Sequence, residues 1–101
     1  MKSEIFREKL EKAPDNLLFR FSYGQALFAE GHSKEAIAVL EPAIDKKPDW
    51  MIALLILGKA HLELENYSAA KNALEKAMKA AFDQNHEEPR EEIQSLLEQC
   101  K

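Results

Sequence analysis

The sequence contains little cysteine and little glycine, and each shortage excludes a kind of site. The single cysteine, Cys100, excludes an internal disulfide and any multi-cysteine metal knuckle, which favours a reducing compartment. The three glycines do not form a phosphate-binding loop. Nothing in the spacing places a histidine beside Cys100 as a nucleophile–base pair. We therefore predict no catalytic residue, no cofactor and no metal site.

Long apolar runs and an excess of basic residues are also missing. The longest apolar run, Trp50 to Leu57, has eight residues and is too short to cross a membrane. The N-terminal stretch is charged and amphipathic and does not resemble a signal peptide, so we expect a cytoplasmic protein. The net charge of −4 argues against a nucleic-acid partner, because phosphates are usually met by a basic surface.

Helix-forming residues are abundant in this chain. Apolar residues make up 46% and charged residues 32%, which is typical of a folded soluble protein. Ala, Leu, Glu and Lys favour helices, and no stretch alternates with the period of two that indicates a strand. With 101 residues, the chain is long enough for one domain with its own core.

The main pattern is a repeat with a period of thirty-four residues. When the sequence is shifted by this distance, small and helix-breaking residues coincide in pairs. The pairs are Pro14 with Pro48, Gly24 with Gly58, Ala26 with Ala60, Ala36 with Ala70, Leu40 with Leu74, and Ala43 with Ala77. A glycine inside a helix costs roughly 1 kcal/mol relative to alanine, so its recurrence predicts one close packing contact that occurs twice. A repeat of this length indicates a solenoid of stacked helices.

Six helices are predicted from the apolar periodicity and the punctuating residues. They span about 3–12, 16–30, 33–46, 50–64, 67–81 and 89–100. Ser3, Asp15 and Asp49 are the predicted caps of the first, second and fourth helices. Gly31 is expected to stop the second helix, and Asn66 to replace it in the corresponding later turn. Pro42 predicts a kink in the third helix, or a restart near Glu41.

At the level of residue positions, the chain resembles the tetratricopeptide repeat family. The first copy has Tyr23-Gly24, Leu27, Ala36, Leu40, Ala43 and Pro48 at the family's positions, and the second has Leu57-Gly58, His61, Ala70, Leu74, Ala77 and Phe82. Arg20 and Leu54 replace the usual tryptophan, His61 replaces a tyrosine, and Phe82 replaces a proline. The resemblance implies an all-α fold, a short right-handed superhelix of about six antiparallel helices. A single domain, 1–101, would comprise a half repeat at 2–13, repeats at 14–47 and 48–81, and a capping helix at 87–100.

The resemblance also implies a binding surface, because the first helices of such repeats line a concave groove that holds a peptide or helix of another protein. The residues that the register places there are Leu18, Phe21, Gln25, Phe28, Ile52, Leu55, Lys59 and Leu62. This groove is predicted to be apolar, with Gln25 and Lys59 as isolated polar groups, and contiguous apolar surface usually marks an interface. The alternative is that the final helix covers these residues.

Two other functions are alternatives to this groove. The same apolar surface, or the open first helix, could pair with a second copy, so that the chain forms a homodimer or larger assembly. Some members of the family grip a terminal carboxylate, and the corresponding positions here hold Phe21, Gln25, Ile56, His86 and Arg90. Only Arg90 matches, so we do not expect this clamp.

Overall fold

A computed structural model describes residues 1–100, which form six α-helices joined by short turns. The helices are α1 (Lys2–Lys12), α2 (Leu17–Ala29), α3 (Ser33–Lys46), α4 (Met51–Glu63), α5 (Tyr67–Asp83) and α6 (Glu88–Glu98). No strand occurs within residues 1–100. The predicted all-α class and the number of helices are therefore confirmed.

The helices pack in sequence order, each against the next, and α2 also packs against α4. The first helices of the two copies, α2 and α4, thus lie side by side in one layer, while α3 and α5 lie in the other. The molecule measures 38 × 28 × 20 Å. Its shortest dimension equals two helices of about 10 Å diameter, as a stack of helical hairpins requires.

The packing contact that the repeat predicts occurs in both copies. A Cβ atom at Gly24 would lie 2.6 Å from Cγ and Cδ2 of Leu40. At Gly58 it would lie 2.6 Å from Cδ2 and 2.7 Å from Cγ of Leu74. In each hairpin, a leucine of the second helix therefore presses against the bare backbone of the first helix. The repeated contact is confirmed, and both leucines are fully buried.

The predicted helix caps were wrong at three positions. Ser3 lies inside α1, and its amide and hydroxyl both donate to the Glu30 carboxylate, at 3.1 and 2.6 Å. Asn16, one residue after Asp15, caps α2 by accepting from the Phe19 amide at 2.9 Å. The α4 helix begins one residue later than expected, and no side chain caps it. Local spacing identified each boundary to within one or two residues but not the group that serves it.

The turns after α2, α4 and α5 repeat one geometry. A residue with positive φ follows each helix: Gly31 at 85°, Glu65 at 59° and Asn85 at 59°. The next amide then donates back across the turn, for example from Asn66 to the His61 carbonyl at 2.8 Å. The expectation that Asn66 takes the place of Gly31 was wrong, because Glu65 occupies the left-handed position.

Pro42 and Phe82 affect the lengths of α3 and α5, the second helices of the two repeats. The α3 helix runs without interruption through Pro42, so the predicted restart near Glu41 was wrong. The Ala38 carbonyl, which loses its helical donor there, belongs to an exposed residue and can bond to water. The α5 helix continues two residues past its predicted end to Asp83, because Phe82 replaces the proline that follows α3.

Candidate partner-binding surface

The predicted groove residues differ in exposure along each helix and between α2 and α4. Near the start of α2 and α4, the equivalent residues Leu18 and Ile52 are 64% and 49% exposed. Farther along α2, Gln25 is exposed and Phe28 is half-buried. Large aliphatic side chains that stay this exposed lose the free energy of burial, so the exposed end of these helices, near Leu18 and Ile52, is the candidate contact surface.

Trp50 joins this exposed end, although sequence reasoning did not select it. Its ring stacks on Phe21, with centroids 4.9 Å apart and planes at 27°. The Lys47 ammonium lies 5.3 Å from the centre of the Trp50 ring. The repeat register aligns Trp50 with Asn16, a cap position, so the family pattern gives it no binding role. Its residue type was the available signal, because tryptophan is enriched at interface hot spots.

We define the open patch as Leu18, Phe21, Trp50 and Ile52. A cleft of about 440 Å³ continues from it toward the start of α6. The cleft is lined by Lys47, Asp49, Trp50, Met51, Ile52, Gln84, His86 and Pro89. The side-chain amide of Gln84 donates to the Asp49 carbonyl at 2.8 Å and so joins the two turns that form the cleft. The open patch therefore ends at a pocket large enough for a bulky side chain.

On α4, the predicted groove residues that follow Ile52 are covered by α6. Leu55 is only 8% exposed and belongs to the core cluster that contains Leu74 and the fully buried Ile93. Leu62, Leu96 and Leu97 pack against the same cluster. The Lys59 ammonium forms a 2.7 Å ion pair with Glu92 of α6. The final helix therefore folds over three of the predicted groove residues, Leu55, Lys59 and Leu62, as the alternative interpretation expected.

Arg90, Cys100 and His61 are the residues best suited to chemistry by type, and each is held by contacts within the fold. The Arg90 guanidinium stacks over Phe82 at 3.9 Å and donates to the Ala81 carbonyl at 3.5 Å. The Cys100 thiol donates to the Leu96 carbonyl at 3.4 Å, and burial raises its pKa, which disfavours the reactive thiolate. Burial also lowers the pKa of His61, partly offset by Glu41. Within residues 1–100, no three histidine, cysteine or acidic side chains gather as a metal site would require.

Comparison with known proteins identifies the family. Residues 3–77 match the family model described as anaphase-promoting complex, cyclosome, subunit 3. The chain belongs to this family. Its repeats are of the tetratricopeptide type, as the residue pattern predicted. No curated protein is significantly similar in sequence to the chain.

Solved structures show the same tetratricopeptide fold. The structure of the TPR2B-domain:pHsp70 complex of yeast Sti1 is 23% identical with a TM-score of 0.86, and the match covers 97% of this chain and 78% of that one. Protein BPP2914 from Bordetella parapertussis is 25% identical over 99% and 87% of the two chains, with a TM-score of 0.83. A tetratricopeptide repeat domain protein from Salinibacter ruber is 18% identical over 87% and 89%, with a TM-score of 0.74.

Among the six helices of residues 1–100, none combines the length and the apolar character needed to span a bilayer.

Proposed function

We propose that this chain is a non-catalytic protein–protein interaction module whose open patch binds an apolar segment of a partner protein. The observation that carries the proposal is the exposure of Leu18 and Ile52 at equivalent positions of two adjacent helices. Phe21 of α2 and Trp50, which directly precedes α4, stack on each other and add aromatic surface to the open patch. Exposed aliphatic residues around ordered aromatic rings are typical of protein-binding sites.

The tetratricopeptide fold supports the same function, because such domains commonly act as interaction modules. One similar structure is a TPR domain in complex with pHsp70, which shows that the fold can present a surface to another protein. In this chain the partner segment would lie across the starts of α2 and α4 and place one bulky side chain in the adjoining cleft. An amphipathic helix or an extended peptide with a large apolar anchor fits that geometry.

The test is a comparison of captured proteins between the wild type and a Leu18→Glu/Ile52→Glu variant. Both side chains are exposed, so the double variant should keep its circular dichroism spectrum and its midpoint of thermal unfolding. Partners captured from a lysate by the wild type should be depleted at least roughly tenfold, because two charges would be buried at the interface.

Leu64→Glu is the matched control, because Leu64 is 41% exposed but lies at the far end of α4. This variant should retain the wild-type set of partners. If Leu64→Glu and the double variant lose the same proteins, general surface charge explains the loss, and the open patch is not the binding site.

A second candidate function is self-assembly, favoured by apolar exposure on α1. Ile5 of α1 is 53% exposed and Met1, which directly precedes α1, is 77% exposed, and neither belongs to the open patch. If two copies pair through these residues, light scattering will show a mass that rises toward two chains with concentration, and Ile5→Glu will abolish the rise. A mass that stays at one chain over the whole concentration series excludes this function.

A further inference from the structure

A further cavity lies away from the open patch, between the second helices α3 and α5 and along one side of α4. Its volume is about 680 Å³, within the range of sites for small ligands and side chains. The lining residues are Glu41, Ile44, Asp45, Leu54, Leu57, His61, Ser68, Ala69, Asn72, Ala73 and Lys76. We name this cavity the α3–α5 cleft. None of these lining residues belongs to the open patch, so a ligand here would not compete for it.

The two walls of the cleft differ in charge. Glu41 and Asp45 are one helical turn apart on α3, and neither forms an ion pair within 4.0 Å among residues 1–100. Lys76 is the cation on the facing wall, and Ser68 and Asn72 add neutral polar groups there. Burial of the His61 imidazole lowers its pKa, which disfavours a positive charge there. The cleft therefore has a net negative charge concentrated on the α3 wall.

The floor between these walls is apolar. Ile44 of α3 and Leu57 of α4 contribute aliphatic side chains to the lining, and Ala69 and Ala73 leave room on the α5 side because their side chains are small. A ligand that fits has an aliphatic stem for the floor and a cationic head for the carboxylates. Arginine has this form, and its planar guanidinium can donate to two carboxylates at once.

We propose that the α3–α5 cleft binds an arginine side chain of a partner protein, with the guanidinium between Glu41 and Asp45. Charge complementarity decides for arginine over an acidic or a purely apolar side chain. The chain would then hold two protein segments on opposite layers, an apolar one at the open patch and a basic one at the cleft.

The experiment is a titration of the whole chain, followed by NMR, with N-acetyl-arginine amide and its uncharged analogue N-acetyl-citrulline amide. The arginine compound should shift the signals of His61, Ala69 and Ala73 and leave those of Leu18 and Ile52 unchanged. It should bind roughly tenfold more tightly than the citrulline compound, as expected for a charge-assisted hydrogen-bond pair. Equal binding of the two, or no shift at the cleft, overturns the proposal.

Variants and a third probe complete the test. Glu41→Gln/Asp45→Asn should remove the preference for arginine, whereas Glu75→Gln, an exposed residue of α5 outside the cleft, should preserve it. Both replaced carboxylates are exposed, so circular dichroism should show an unchanged fold. Free arginine carries its own ammonium and carboxylate. If it binds much more tightly than the capped compound, the cleft is a site for an amino acid, and the assignment to a partner protein is wrong.

Discussion

At the scale of single residues, two glycines determine how closely the hairpins close. Gly24 faces Leu40, and Gly58 faces Leu74, in contacts that agree to within 0.1 Å. Neither glycine has a positive φ, so steric space and not backbone conformation requires the residue. The leucines are fully buried and cannot move toward solvent. An added methyl group therefore has to displace a packed side chain.

Gly24→Ala and Gly58→Ala should each destabilise the protein. Overpacking costs roughly 1–3 kcal/mol, and the better helix propensity of alanine returns roughly 1 kcal/mol, so the net loss is up to about 2 kcal/mol. Urea denaturation monitored by circular dichroism measures it. Gly24→Ala combined with Leu40→Ala should cost less than the sum of the single losses, because the added methyl then fills part of a cavity. Strictly additive losses would contradict the contact.

The left-handed residue of the α4–α5 turn leads to a stabilising prediction. Glu65 has φ of 59° where the equivalent turn has Gly31 at 85°. A left-handed conformation costs a residue with a side chain roughly 1–2 kcal/mol, and glycine loses roughly 0.5–1 kcal/mol in entropy, so Glu65→Gly should gain up to about 1.5 kcal/mol. The midpoint of thermal unfolding should rise. Gly31→Ala is the reciprocal control and should lower it, even though no atom lies within 4 Å of the added Cβ.

At the scale of elements, the Glu30 carboxylate forms hydrogen bonds that link α1 to α2. Glu30 follows the last turn of α2 and accepts from both the amide and the hydroxyl of Ser3 in the first turn of α1. An anion at this position also faces the positive end of the α1 dipole. Glu30 thus performs the capping function that the sequence suggested for Ser3.

This contact predicts a pH dependence of stability. The hydroxyl of Ser3 donates to Glu30 and holds the pKa of that carboxyl below its ordinary value. The stabilisation is therefore complete above the unfolded value of about 4.3 and is lost as the pH falls through the lower folded value. Ser3→Ala should be less stable than wild type at pH 7, and the difference should shrink below about pH 4. Urea denaturation from pH 7 to pH 3 measures it, and a difference independent of pH would contradict the role of Glu30.

At the scale of the whole molecule, α6 completes the core that α4 and α5 leave open. Ile93 is fully buried against a cluster that includes Leu55 and Leu74. The exposed partners of the Lys59–Glu92 pair, 31% and 49% accessible, contribute at most about 1 kcal/mol, so apolar contact dominates the attachment of α6. The stack should therefore unfold as one unit that includes this helix.

Ile93→Ala tests this cooperativity. The variant should lose roughly 2–5 kcal/mol of the free energy of unfolding, as expected for a cavity left by a buried isoleucine. Trp50, the only tryptophan, lies in the contact between α2 and α4 and reports on a different part of the stack. Its fluorescence and the helical circular dichroism should change at the same urea concentration. If helical signal is lost before the fluorescence changes, α6 unfolds separately and does not complete a shared core.

Most of the fold was predictable from the sequence because its causes are local or periodic. Apolar spacing located the six helices, and the thirty-four-residue register located the contacts of Gly24 and Gly58. The placement of Leu18 and Ile52 followed from the same register. A residue's position along a helix determines the side on which it lies, and that requires only the helical period.

The tertiary structure alone decided how much of the predicted surface stays open. Leu18 and Leu55 look alike in the sequence, but α6 covers the second and leaves the first exposed. Three other features also form between residues of separate parts of the chain. They are the stacking of Trp50 on Phe21, the hydrogen bond between Ser3 and Glu30, and the α3–α5 cleft. The repeat determined which helices stack and through which small residues. Contacts between distant helices depend on the final stacking geometry, which a local pattern does not encode.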